Sequence, residues 1–239
     1  MSNTHFRFKQ FTIHQDLCSM KVGTDGVLLG AWTNIDNAKC ILDIGTGTGL
    51  IALMLAQRSD ATITAVDAEV NACEQAKINF NGSPWAGRLQ IVHSKIQDFH
   101  SDHPFDLIVS NPPYFSGYYS SDDLSRDIAR SADVLLSYED LIASAKKLLA
   151  VNGRLSLILP ADLQERIIEL ANQHELILSR LTFVKTKKNK AAKRVLLEFV
   201  NTSTEVKIIL DELIIQSDDN SRVYTQEYIS LTKDFYLAF

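Results

Sequence analysis

The residues with the clearest chemical potential are Ser110-Asn111-Pro112-Pro113-Tyr114, which leave the apolar run Phe105 to Val109. Two consecutive prolines have fixed φ and no N–H, so their carbonyls can only accept hydrogen bonds. Asn111 adds a side-chain oxygen as a further acceptor, and the Tyr114 ring supplies a flat apolar face for stacking. Such a corner suits a planar group bearing an NH2, whose two hydrogens meet oxygens while its ring lies on the phenol. Adenine N6, cytosine N4, guanine N2 and a carboxamide all have that form. The competing reading is a strand that ends in a rigid turn, since Pro-Pro is common loop punctuation.

A second constellation decides between them. Asp43-Ile44-Gly45-Thr46-Gly47-Thr48-Gly49 follows an apolar strand and precedes a helical run. Ligands of open α/β sheets bind beyond the carboxyl ends of the strands, where strand order reverses. A dinucleotide site would read G-x-G-x-x-G, whereas here the glycines fall as G-x-G-x-G, with Leu50 at the third place. Asp43, two residues before Gly45, would repel a pyrophosphate but attract the ammonium of an amino-acid moiety. Asp67 ends the next strand and can accept from both hydroxyls of a ribose. Gly45, Gly47, Asp43 and Asp67 together point to S-adenosylmethionine as cofactor. Asn111 and the Pro112 carbonyl would then hold an amine before its methyl, with Tyr114 stacking the acceptor ring.

The elements that must position these groups form a regular series. Strands are expected at 39–44, 61–66, 89–92, 105–110, 154–159, 176–183 and 194–200, with helices at 50–57, 69–80, 138–150 and 162–174. Strands alternating with helices imply a mainly parallel, doubly wound α/β sheet. The last two strands are joined by a short basic loop and are expected as antiparallel partners at an edge. The tail from Lys207 suggests one more strand or two, then a helix around 225–235. Ahead of the series, Phe6, Phe8, Phe11 and Ile13 are spaced as a short strand or hairpin. Lys21-Val22-Gly23-Thr24-Asp25-Gly26 then predicts a helix start capped by Thr24 or Asp25. Bare N–H groups there, beside Lys21, can hold a carboxylate, which makes Lys21 and Thr24 cofactor candidates.

The two motifs resemble motifs I and IV of class I methyltransferases that act on planar nitrogens. More narrowly, the chain is similar to the bacterial tRNA(Val) adenine-37 N6-methyltransferase family. Phe8-Lys9-Gln10-Phe11, Met20 to Gly26, Leu28 to Trp32, Ser83-Pro84-Trp85-Ala86, Arg194 to Leu197 and Phe235-Tyr236-Leu237 carry that likeness across nearly the whole chain. The resemblance implies a Rossmann-like, seven-stranded sheet of order 3-2-1-4-5-7-6, with Asn111 touching cofactor as well as substrate. It implies residues 1–38 as a segment capping the cofactor site and 39–239 as the methyltransferase domain, one structural domain overall. Such enzymes often place an acid after the third strand to accept from the cofactor's adenine amine. Lys95 stands there instead, leaving Asp98 or the backbone near Ile96 for that task.

Lys185 to Arg194 holds six positive charges in ten residues and no acid, in a chain of net charge −5. Lys187, Lys188, Lys190, Lys193 and Arg194 are therefore expected to contact tRNA phosphates, the alternative being a solvated loop. Three cysteines without a C-x-x-C pair, no signal-peptide pattern and no long apolar run suggest a cytoplasmic protein off the membrane. The six histidines lack ligand spacing, so no metal is expected, and no obligate protein partner is inferred. Two other functions fit the same motifs. One is protein-glutamine N5-methylation, since a carboxamide has the same two hydrogens. The other is a non-catalytic RNA-binding protein with a vestigial cofactor pocket.

Overall fold

Alternation along single strands divides the interior into two cores. Ile41 packs with one apolar cluster while Leu42 and Ile44 pack with the other. Leu107 and Val109 likewise face one way and Ile108 the other. Successive side chains of a strand point to opposite faces, so a sheet carrying such strands must be covered on both. The computed structural model describes residues 4–18, 20–113, 138–217 and 223–239.

The central sheet contains β3 (Cys40–Ile44), β4 (Thr62–Asp67), β5 (Leu89–His93), β6 (Phe105–Ser110), β7 (Leu149–Pro160), β8 (Ile177–Lys185), β9 (Arg194–Val200) and β10 (Ile209–Ile214). Their spatial order is β10-β8-β9-β7-β6-β3-β4-β5. Every pairing is parallel except those that β9 makes with β7 and β8. On one face lie α1 (Thr24–Trp32), α2 (Leu50–Arg58), α3 (Val70–Asn81) and α6 (Gln226–Thr232). On the other lie α4 (Tyr138–Leu148) and α5 (Gln164–Gln173).

The expectation of seven strands is corrected to eight. Ile209–Ile214 adds to the outer side of β8 in parallel register, so β8 and β9 do not form the sheet's edge. Arg180 pairs with Asp211 at 3.4 Å, and Lys185 pairs with Glu212, across that added seam. Helix α4 stops earlier than expected because β7 begins at once, Leu149 pairing with Phe105. The irregular stretch around Asn152, at φ 63°, shifts the register before Arg154 pairs with Leu107.

The N-terminal residues form a hairpin of β1 (His5–Arg7) and β2 (Thr12–His14). Phe8 stacks on Phe11, with centroids 4.7 Å apart, and on Tyr236 near the opposite terminus. Lys9 Nζ donates to the carbonyls of Lys233 and Phe239, joining the two ends of the chain. Helix α1 buries Val27 to Leu29 and Trp32 in the same core as α2. Its N-cap is Gly23, with no side-chain cap, which corrects the expected Thr24 or Asp25. Thr24 opens the first turn, and Asp25 forms an ion pair with Arg194 at 2.8 Å.

From β3 the chain moves outward through β4 to β5, then returns to place β6 on the other side of β3. That reversal makes the carboxyl ends of β3 and β6 the natural place for a ligand.

Candidate active site

Both motifs of the sequence meet at this reversal. Ile44 and Ser110 are register partners at the ends of β3 and β6, and Ser110 Oγ donates to the Ile44 carbonyl at 2.8 Å. A cavity of about 340 Å³ opens above them. Gly45, Gly47, Asp67, Asn111, Pro112 and Pro113 all line it. Pro112 is buried, while Asn111 and Pro113 are half-buried. Tyr114 lies outside the described residues.

The glycine loop needs its glycines. Gly45, Gly47 and Gly49 have φ of 68°, 56° and 81°, the left-handed region that side chains rarely adopt. A Cβ at Gly45 or Gly47 would meet nothing within 4 Å, so it would project into open space. The bare backbone is thus a cradle that a ligand can approach closely. Its shape is held from beneath: Gly45 N donates to the Val66 carbonyl at 2.8 Å, and Gly47 N to Asp67 Oδ2 at 2.8 Å. Asp67 also accepts from Glu69 N through Oδ1 at 2.9 Å, which fixes its carboxylate at the cavity wall.

Asp43 does not line the cavity. It is wholly buried behind the loop, where Oδ2 accepts from Thr46 Oγ1 at 2.6 Å and from Ala52 N at 3.2 Å. Oδ1 is buried with no partner among the described residues. Burial pushes this carboxyl up to about 7, against the lowering effect of its two donors, and nearby Asp67 adds to the rise. Asp43 therefore stands behind the loop rather than on the cavity lining where a ligand ammonium would meet it.

Beyond Asp67 the wall continues through Ser94, Lys95, Ile96 and Gln97 at the end of β5. Ile96 is buried there. Asp98 closes the 3-10 turn Ile96–Asp98, is exposed, and does not reach the cavity. Gln97 does, and its Nε2 donates to Oδ2 of Asp140, a first-turn residue of α4 that also lines the cavity.

Lys21 and Thr24 are exposed and lie off the cavity lining, whereas Cys18 and Met20 line it. Two buried polar residues of α3 bring that segment in. Asn79 bonds to His14, and Gln75 Oε1 accepts from Leu17 N at 2.8 Å. Gln75 and Asn79, polar yet buried on α3, hold the N-terminal segment there, and they went unread in the sequence. Burial, with Asp67 and Glu69 close by, pushes the Cys18 thiol up to about 11, so it is neutral at physiological pH. Among the described residues, no group of His, Cys, Asp and Glu stands together in a way that could hold a metal ion.

The basic stretch forms the connection between β8 and β9. Strand β8 is antiparallel to β9, which is antiparallel to β7, so β8 runs with the parallel strands. The loop after Lys185 therefore lies at the same edge of the sheet as the cavity. Lys188, Lys190 and Lys193 are exposed and Lys187 is half-buried. Arg194 differs from them: its Nε is engaged by Asp25 and its Nη1 donates to the Lys193 carbonyl. It acts first as a tie between β9 and α1.

Residues 22–189 match the family model "Methyltransferase small domain". Among solved structures, a predicted O-methyltransferase from Agrobacterium tumefaciens superposes with a TM-score of 0.71 at 19% identity, covering 88% of this chain and 96% of that one. A TehB-like SAM-dependent methyltransferase from Corynebacterium glutamicum gives 0.51 at 19% identity, covering 76% and 89%. These two speak to the fold. Closer in sequence are proteins named tRNA1(Val) (adenine(37)-N6)-methyltransferase. That of Phocaeicola vulgatus is 48% identical over 99% of both chains, and that of Christiangramia forsetii 46% over 99% of both. The Pseudoalteromonas translucida protein is 45% identical over 97% of this chain and 98% of its own. On end-to-end likeness at this level, the chain belongs to the tRNA1(Val) (adenine(37)-N6)-methyltransferase family.

Proposed function

We propose that this chain transfers a methyl group from S-adenosylmethionine to the exocyclic N6 of adenine 37 in tRNA(Val). The observation that carries the reading is the cavity shared by the glycine cradle, Asp67 and the Asn111-Pro112-Pro113 corner. The residues fit the cofactor. Gly45 and Gly47 leave room for its amino-acid moiety, Asp67 is placed to accept from ribose hydroxyls, and Ile96 offers an apolar wall to a purine. Asp43 lies behind the loop, where its ionised form would favour a bound ammonium. Names of close relatives support the tRNA adenine over a protein glutamine or a vestigial pocket.

S-adenosylmethionine supplies an activated sulfonium methyl, so no covalent enzyme intermediate is needed. What the protein must do is turn the N6 lone pair, which the purine ring delocalises, toward that methyl. Asn111 Oδ1 and the Pro112 carbonyl each accept one N6 hydrogen, drawing the amine toward pyramidal geometry. This is positioning and electrostatic preorganisation rather than strong base catalysis. An adenine of an anticodon loop is already unpaired, so presenting it costs little.

Cys18 and Met20, from the N-terminal segment, cap the cofactor end of the cavity. The sheet is read as the class I order 3-2-1-4-5-7-6 with an eighth strand appended beside the sixth. Lys187, Lys188, Lys190 and Lys193 meet tRNA phosphates along the shared edge. Three free cysteines and a tRNA substrate suit the cytoplasm, and no helix among the described residues is long and apolar enough to cross a membrane. The test is to incubate the purified chain with methyl-labelled S-adenosylmethionine and a tRNA(Val) transcript, followed by nucleoside mass spectrometry. N6-methyladenosine is expected, and none when position 37 is guanosine. Label incorporated equally into both transcripts would overturn the assignment.

A further inference from the structure

The cavity lining answers a question that Lys95 raises. With the methyl directed at Asn111 and the ribose beside Asp67, the cofactor's adenine falls further along the sheet, at the Ser94–Gln97 wall that ends β5. Its N6 amine needs an acceptor. The ammonium of Lys95 can only donate, and Asp98 stands off the cavity. Besides the Ser94 hydroxyl, the side chains of Gln97 and Asp140 bring acceptors to that end of the site and are joined to each other. Gln97 Nε2 donates to Asp140 Oδ2 at 3.1 Å, linking the turn after β5 to the first turn of α4.

We propose that Asp140, contributed from α4 on the far side of the substrate corner, is the residue that reads the cofactor's adenine amine. Gln97 is its positioning residue. Its amide nitrogen holds the half-buried Asp140 at the cavity wall, and a carboxylate has lone pairs enough to accept from more than one donor. A charged acceptor in a cleft distinguishes an N6 amine from a 6-oxo group, because the oxygen of the latter would be repelled. The assignment rests on the S-adenosylmethionine reading above and adds to it the source of base selectivity.

The test is calorimetric titration with S-adenosylhomocysteine and with S-inosylhomocysteine, in which a carbonyl oxygen replaces the 6-amino group. The unsubstituted protein is expected to prefer the adenosyl ligand by about ten- to a hundred-fold, the range of a hydrogen bond to a charged group. Asp140→Asn presents both an acceptor and a donor, so the preference should fall about ten-fold or more while the adenosyl ligand still binds. Gln97→Leu should lower the same ratio, which loss of stability alone would not do. An unsubstituted protein that binds both ligands equally, or an Asp140→Asn protein that keeps the full preference, overturns the assignment and leaves the cofactor reading standing. Failure of the unsubstituted protein to bind S-adenosylhomocysteine would overturn both.

Discussion

Asn79 and His14 are joined by two hydrogen bonds, Oδ1 accepting from His14 N at 2.8 Å and Nδ2 donating to His14 O at 2.9 Å. The same Nδ2 donates to the Thr48 carbonyl of the glycine loop at 2.8 Å. One buried side chain therefore pins the N-terminal hairpin to the loop that forms the cofactor cradle. Asn79→Leu keeps similar bulk but strands these backbone groups away from water. It should cost about 2–3 kcal/mol and lower the melting temperature by several degrees. Because Cys18 and Met20 are carried by the same segment, S-adenosylhomocysteine affinity should fall as well. Thermal melts with and without ligand check both, and an unchanged affinity would separate the segment from the cavity.

Asn111→Ala tests the chemistry. The side chain stands at the cavity edge, and its role is to accept from the amine as the methyl moves. Single-turnover transfer to tRNA(Val) should drop about a hundred-fold or more, as for loss of one preorganised polar group. Affinity for S-adenosylhomocysteine should change little, since Gly45, Gly47 and Asp67 remain. A variant that turns over at nearly the original rate would remove Asn111 from the reaction.

Asp43 sets a dependence on pH. An ordinary aspartate titrates near 3.8, whereas burial raises this one to about 7. Between those values the folded chain keeps a proton that the unfolded chain has lost. The carboxyl's contribution to stability is therefore full below about pH 4 and declines as pH rises toward 7. Above 7 both states are ionised and the loss is complete. Asp43→Asn carries no charge and lacks this slope, so its stability relative to the parent should climb across that window, by on the order of 2–4 kcal/mol. Urea unfolding at a series of pH values between about 4 and 8 reads it directly. A constant difference would mean that Asp43 does not titrate there.

The glycine loop, Asp67 and the Asn111 corner were legible because each depends on local backbone needs: left-handed φ, a strand end, a proline pair. The strands of the α/β series were legible from their apolar runs. What stayed hidden came from distant packing. Asp140 reaches the cavity because α4 lies over the turn Ile96–Asp98, and no local pattern marks that. Arg194 counted as one more positive charge until Asp25, far earlier in the chain, proved to be its partner. Strand β10 was expected only as one more strand or two somewhere in the tail from Lys207, because Ile209 to Glu212 lie exposed along an edge, without the alternation that would fix its bounds.

That partner also divides the basic block into two kinds of residue. Lys188 and Lys190 are exposed and Lys187 half-buried on the loop at the cavity's edge of the sheet, while Arg194 is held by Asp25 with both side chains about one-third exposed or less. Replacing the three lysines by alanine should weaken tRNA binding and flatten its dependence on salt, by up to about 0.7–0.9 in log–log slope for each phosphate left without its lysine. Arg194→Gln should leave that slope nearly unchanged and cost up to about 1 kcal/mol of stability instead, the usual worth of a partly exposed ion pair. Filter binding of tRNA(Val) between 50 and 200 mM salt, roughly the range over which such charges are screened, distinguishes the two. If Arg194→Gln flattened the slope as much as the triple lysine change, the arginine would be a phosphate ligand and the tie to α1 secondary. If neither variant changed it, the tRNA would lie on another face of the sheet's edge.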